Sequence, residues 1–155
     1  MAIQKISFAQ KAFITLDGKL LLVRKSKDDP NHPGKWEVPG GRMIFGEQVD
    51  THIYREVREE VGIEIIPGAP FYVWQWRMVG GCNEEQPKDI QVVAVARFCQ
   101  PVTTELSVAG RTGDDYLDEM AWVPFNEINK YKLIPNMLPV FDTFLAQVQN
   151  VKTGL

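Results

Sequence analysis

The stretch from Gly41 to Ile63, GRMIFGEQVDTHIYREVREEVGI, constrains this chain more than any other. From Gln48 to Val61 it holds neither proline nor glycine, and Gly62 follows where a helix C-terminus favours a residue that tolerates the left-handed conformation. It reads as a loop leading into a helix. At roughly 100° per residue, Glu56, Glu59 and Glu60 fall within an arc of about 100°, and His52 lies in the same arc. Ile53, Tyr54, Val57 and Val61 occupy the adjoining arc. One face is acidic and its neighbour apolar, so the helix can pack on a core while holding carboxylates at the edge of the packing.

Carboxylates so placed repel by a few tenths of a kcal/mol per pair on an exposed helix, and by more when partly buried. A hard divalent cation neutralises them best, because Mg²⁺ takes oxygen ligands and is shared between a few carboxylates, waters and substrate phosphates. Zinc fits less well, since the stretch supplies no cysteine and one histidine. The competing reading of the acids alone is a solvated helix face, in which they alternate with Arg55 and Arg58.

The flanking sequence decides between them. Gly41, five residues, Glu47, seven residues, Arg55-Glu56-Val57, one residue, Glu59-Glu60, one residue, Gly62-Ile63 resembles the Nudix box at each of its nine fixed positions. The preceding Trp36-Glu37-Val38-Pro39-Gly40-Gly41 resembles the usual lead-in. The resemblance implies an α/β/α sandwich with a mixed β-sheet between helices. It also implies hydrolysis of a nucleoside diphosphate linked to another group, with Mg²⁺ or Mn²⁺ held by box glutamates.

The remainder of the chain is compatible with that expectation. A chain of 155 residues, 45% of them hydrophobic, suits one domain over residues 1–155 with a substantial core. A net charge of −3 offers no basic footprint for a nucleic-acid polymer, although it permits a small anionic substrate held through metal. No signal-peptide pattern and no apolar run of membrane-spanning length is present, so the expected location is the cytoplasm. Cys82 and Cys99 lack metal-ligand spacing and read as reduced thiols.

Along the chain, Ser7 to Leu16 and Lys19 to Arg24 form a hairpin around Asp17-Gly18. Lys25 to Lys35 is a polar loop, Trp36 to Val38 a short strand, and Met43 to Phe45 another extended piece. Ile63 to Ile66 is β-like and broken by Pro67-Gly68. Phe71 to Val79 begins a second strand, and Ile90 to Phe98 has the apolar content of a central one. Glu119 to Pro124 is a last strand, followed by a short helix from Phe125 to Tyr131. Asn136 caps a helix running to Val148, which covers one side of the sheet while the box helix covers the other.

The resemblance assigns roles residue by residue. Glu56 and Glu60, then Glu59, are expected as metal ligands, with the carbonyl of Gly40 as a further one. Arg55 orients a box carboxylate, for which a guanidinium fork is better suited than lysine. The base that deprotonates water is left between Glu59, Glu47 and an acid outside the box. Glu119 is that outside candidate, in competition with Asp114, Asp115 and Asp118. Trp74 and Trp76, on one face of their strand with Tyr72, either stack a nucleobase or pack in the core or a dimer interface. Arg24, Lys25 and Arg77 are candidate phosphate contacts.

Subfamily signals are mostly unmatched. Val79 stands where ADP-ribose hydrolases of the family tend to have proline, and Gly80-Gly81 where dinucleoside polyphosphate hydrolases tend to have tyrosine; a coenzyme A signature is absent. A nucleoside triphosphate or a nucleotide sugar is the expected substrate. A non-catalytic nucleotide-sensing domain is the alternative, disfavoured by the intact box, and isoprenyl diphosphate isomerisation would need a placed cysteine. The partner is a small nucleotide, with no polymer and no membrane, and the aromatic strand and hairpin would suit a homodimer.

Overall fold

The computed structural model describes residues 3–79, 88–111 and 116–152. Strands β1 (Ile3–Leu16) and β2 (Lys19–Lys25) form the expected hairpin. Asp17 and Gly18 both adopt positive φ, as a two-residue turn matching the strand twist requires. Next come β3 (Trp36–Glu37), β4 (Gly40–Arg42), helix α1 (Val49–Val61), β5 (Ile65–Val79), β6 (Lys88–Pro101) and β7 (Leu117–Pro124). Two 3₁₀ turns, Phe125–Lys130 and Pro135–Met137, lead into helix α2 (Leu138–Lys152).

Strand β1 is the axis of the sheet. Its residues Ile3 to Ile14 run parallel to β6, Ala9 to Lys11 pair antiparallel with β4, and Thr15 and Leu16 pair with β2. The order is β3-β2-β1-β6-β5, with β7 on β2, and the sheet is mixed. Strand β6 is central, as its composition suggested, and Val92, Ala94 and Ala96 are completely buried.

The two faces carry separate cores. Ile53, Val57 and Val61 of α1 pack on Ala12, Ile14, Leu21 and Val23. Val140, Phe141 and Phe144 of α2 pack on Phe13, Leu20, Leu22 and Val38 across the sheet. Three layers result, an α/β fold in which, among the described residues, α1 is the one helix on its side. Gly62 ends that helix at φ 74, its N–H donating to the carbonyls of Val57 and Arg58. Tyr54, expected among the apolar positions, is exposed.

Three local expectations are corrected. The short extended piece is Gly40–Arg42 rather than Met43 to Phe45, because the glycines pair with β1. Pro67-Gly68 does not end a strand. β5 continues through it with register shifts beside Pro70, which an edge strand allows because its outer N–H groups owe no partner. Asn136 lies inside a 3₁₀ turn, and α2 starts at Leu138.

Phe144 is the hub of the α2 core. Its ring lies 5.0 Å from Phe13, 5.4 Å from Phe125 and 6.0 Å from Phe98, and it is fully buried. Truncation leaves a cavity that three rigid rings cannot fill, so Phe144→Ala should lose about 3–5 kcal/mol in urea denaturation. A loss under about 1 kcal/mol would contradict this packing.

Candidate active site

The site is built on a pair of glycines: Gly40 admits no side chain, and a side chain at Gly41 would displace the Glu56 carboxylate. Gly40 has φ 147, and a Cβ there would lie 2.1 Å from the Gln10 carbonyl oxygen. A Cβ on Gly41 would lie 2.6 Å from Glu56 Oε2. The loop therefore presses between β1 and the side chains of α1 with no room to spare. The Gly40 N–H donates to Glu60 Oε2 at 3.0 Å.

Both innermost carboxylates are buried, Glu56 8% and Glu60 6% exposed, which is costly for an acid unless something compensates the charge. Burial pushes the Glu60 carboxyl up to about 8, a rise that Lys11 only partly offsets. Burial also raises Glu56, with Arg55 and Lys11 pulling the other way. Glu59 sits further out, its side chain 35% exposed.

Arg55 ties the outer acids together. Its guanidinium bonds Glu47 in a bidentate manner, reaches Glu56 at 3.1 Å and Glu59 at 3.2 Å, and donates to the Arg42 carbonyl at 3.2 Å. It is ion-paired with three box carboxylates, where the expectation named one. The hydrogen bond from Arg55, helped by the Ile44 N–H, holds the Glu47 carboxyl down at about 2.

A second charged group lies beneath the loop and was not read from the sequence. Glu37 is 4% exposed between two lysines: Lys11 bonds it directly, and Lys25 Nζ lies 3.4 Å away. Burial opposes its ionisation, but the two ammonium groups prevail and hold it below the usual carboxylate range. Lys11 Nζ also reaches the Gly40 carbonyl at 3.5 Å. The only sequence signal was alternation: Lys11 is a charge within an apolar strand, as Glu37 is between Trp36 and Val38. Lys25, named as a phosphate contact, is one of this group.

His52 is fully buried and bonds the Gly41 carbonyl through Nε2 at 2.9 Å. Glu119 is exposed and ion-paired with Arg24 at 2.8 Å, while Asp118 takes the Arg24 Nε at 2.8 Å. Arg24 also lies over the Trp36 ring, 5.7 Å from its centre. Asp114, Asp115 and Cys82 lie outside the described residues. Cys99 is buried, and burial pushes its thiol up to about 12, which suits an inert reduced cysteine.

The register places Tyr72 beside Ala96 and Lys11, and Trp74 beside Ala94 and Ala9. The aromatic ladder and Lys11 therefore share one sheet face. Neighbouring rings along it are 6.2 and 6.0 Å apart, and the Trp74 indole N–H is buried with no acceptor among the described residues. Trp74 and Trp76 pack on Ala9, Ile90, Val92 and Ala94. Arg77 lies on the opposite face, paired with Asp89 at the far end of β5.

The donor chemistry fits a hard cation. Glu56, Glu59 and Glu60 supply only oxygen, on consecutive turns of one helix, with the Gly40 carbonyl on the adjoining loop. Among the described residues no three acidic, histidine or cysteine side chains already converge on one point. The reason is visible: Arg55 draws Glu56 and Glu59 outward, and Gly40 draws Glu60 inward. A cation would have to draw these carboxylates away from their present partners.

Comparison with known proteins agrees with this geometry. Residues 9–144 match the NUDIX domain family, whose members generally depend on divalent metal. Over 120 residues the chain is 26% identical to a nucleoside triphosphatase NudI of Salmonella agona (strain SL483), covering 76% of this chain and 81% of that one. It is similar to the solution structure of the E. coli ORF135 protein, with TM-score 0.64 and 26% identity over 92% of this chain and 91% of that one. A crystal structure of a MutT NUDIX hydrolase from Burkholderia pseudomallei shares the fold, with TM-score 0.68 and 22% identity over 90% and 98% of the two chains. A family match that takes in the box helix, most of the sheet and the first half of α2, with every fixed position of the box in place, makes this chain a Nudix hydrolase, an enzyme that hydrolyses nucleotide derivatives.

Proposed function

We propose that the chain cleaves the pyrophosphate linkage of a nucleoside triphosphate in a Mg²⁺-dependent reaction, releasing a nucleoside monophosphate and pyrophosphate. The observation that carries the metal half is the pair of buried carboxylates, Glu56 and Glu60 of α1, packed against the Gly40-Gly41 backbone. Support for the substrate half comes from the relative named a nucleoside triphosphatase. Mn²⁺ would serve in place of Mg²⁺. No helix among the described residues is long and apolar enough to cross a membrane, which is compatible with work on a nucleotide in the cytoplasm.

Glu56, Glu59 and Glu60, with the Gly40 carbonyl, would hold the cation. When bound, it neutralises charge on the phosphate oxygens and makes water more acidic. The chain's own residues do the rest. Arg55 fixes the outer carboxylates and neutralises their repulsion before substrate arrives. Glu47, held at about 2 by Arg55, is a weak base and acts as an anchor for that guanidinium. Glu59, partly exposed and held by Arg55 alone, is the better candidate to accept the proton of the attacking water. Glu119 and Asp118 both hold Arg24, so Glu119 could turn toward a cation, or Arg24 toward a phosphate, only by breaking these pairs. Trp74 and Trp76, on the face shared with Lys11, would form the wall for the base, with the Trp74 N–H as a donor. Arg77, on the other face, is left as a surface ion pair.

The deciding assay is release of pyrophosphate or phosphate from a panel of nucleoside triphosphates, nucleotide sugars and dinucleotides with Mg²⁺. Triphosphates should be cleaved at least about tenfold faster than sugar derivatives. A preference for nucleotide sugars would replace the substrate assignment, and no turnover of any member would end it.

Glu60→Gln tests the ligand role. Below pH 8 the metal-free carboxyl is largely protonated, so an amide is nearly isosteric, and thermal stability should be kept or slightly raised. Turnover should fall by about two orders of magnitude or more. Unchanged kcat would remove Glu60 from the site.

Burial also sets a pH dependence. Glu60 has a folded pKa of about 8, above the ordinary carboxylate value, so its protonated form favours the fold. That contribution is complete below about pH 4 and is lost as pH rises through 8. A cation requires the ionised form, so binding at pH 6.5 should release close to one proton and tighten up to about pH 8. Calorimetric titration of Mn²⁺ in two buffers of different ionisation enthalpy measures this directly, and zero proton release would contradict it.

A further inference from the structure

The geometry points to His52, in its neutral form with the proton on Nε2, as a positioning residue that holds the Gly41 peptide against the box carboxylates. This rests on the proposed metal site and adds a residue to it. His52 lies in α1, one turn before Glu56, and is completely buried with its ring edge toward Phe8.

The tautomer follows from its neighbours in a chain of forced assignments. Arg97 Nη1 lies 3.2 Å from Gln10 Oε1, and a guanidinium can only donate, so that atom must be the amide oxygen. Gln10 Nε2 lies 2.8 Å from the Val49 carbonyl, which can only accept. The same NH₂ group faces His52 Nδ1 at 2.8 Å. Its orientation is fixed twice over, so Nδ1 must accept, and the ring proton sits on Nε2. There it meets the Gly41 carbonyl at 2.9 Å. Arg97 is itself anchored, by Asp50 at 2.7 Å and the Gly68 carbonyl at 3.0 Å.

The relay ends where the site begins. Gln10 and Gly41 are register partners across β1 and β4, so the amide and the ring close a ring of bonds around one peptide. That peptide borders Glu56, while the N–H of the preceding residue bonds Glu60. Loss of the ring donor removes a side-chain bond from the Gly41 carbonyl and loosens a backbone that lies against both carboxylates. Outer-shell partners of this kind are typically worth about 10–100-fold in metal affinity.

Two measurements on the full chain test the inference. The first is ¹⁵N NMR of the metal-free wild-type protein, where His32 and His52 are the only histidines. His52 should show a pyrrole-type Nε2 and a pyridine-type Nδ1; the opposite tautomer, or a protonated or averaged ring, overturns the assignment. The second is Mn²⁺ affinity by calorimetry for wild type, His52→Leu and His52→Gln, each checked for folding by circular dichroism. His52→Leu should bind about 10–100-fold more weakly, and His52→Gln, which keeps a donor near Nε2, should recover to within about threefold. Equal affinity in all three, or no recovery by glutamine, overturns the positioning role alone. Failure of the wild type to bind Mn²⁺ would instead overturn the functional reading and carry this inference with it.

Discussion

Two carboxylates held out of water against a glycine backbone are the constraint on which the rest of the molecule depends. Burying Glu56 and Glu60 is unfavourable in isolation, since each loses hydration that no single neighbouring cation returns. The fold surrounds them with partial compensation: Arg55 from the helix, Lys11 from β1, the Gly40 N–H from β4. None of these completes the neutralisation, and burial still pushes the Glu60 carboxyl up to about 8. The site is poised for a stronger positive charge.

That poise explains features that look unrelated. Gly40 is glycine because its φ of 147 and the Gln10 carbonyl leave no place for a Cβ, and the absence of a side chain at Gly41 leaves room for the Glu56 carboxylate. Strand β1 is long because it must pair with β4 at the loop and with β6 behind it. Lys11 and Gln10, adjacent on β1, point to opposite faces, and each serves the same loop from its own side. The α2 core under Phe144 and the α1 core under Ile53 and Val57 hold that strand between them.

The acids and the helix that presents them were legible because spacing along one helix is local information. The glycine cap at Gly62, the hairpin at Asp17-Gly18 and the central strand β6 were legible for the same reason. What escaped depends on partners distant in sequence. Glu37 is an unremarkable acid until Lys11 and Lys25 close on it. His52 was placed with the acids by helical arithmetic, which gives direction but not what stands opposite, and there Gln10 of β1 makes it a buried hydrogen-bonding group. Pro67-Gly68 was read as a break because local propensity cannot show that the segment lies at an edge, where Arg97 secures the Gly68 carbonyl. Arg24 and Glu119 were named separately, as phosphate contact and as outside acid, and pair with each other instead.

The central claim is that these glutamates exist to grip a cation against a diphosphate. It is tested most directly by a crystal structure with Mn²⁺ and a non-hydrolysable nucleoside triphosphate, recorded at the manganese absorption edge. An anomalous peak is expected among the Glu56, Glu59 and Glu60 carboxylates, with Glu56 turned away from Arg55. Carboxylates still bound to Arg55 and Gly40, with nucleotide present and no anomalous density beside them, would contradict it.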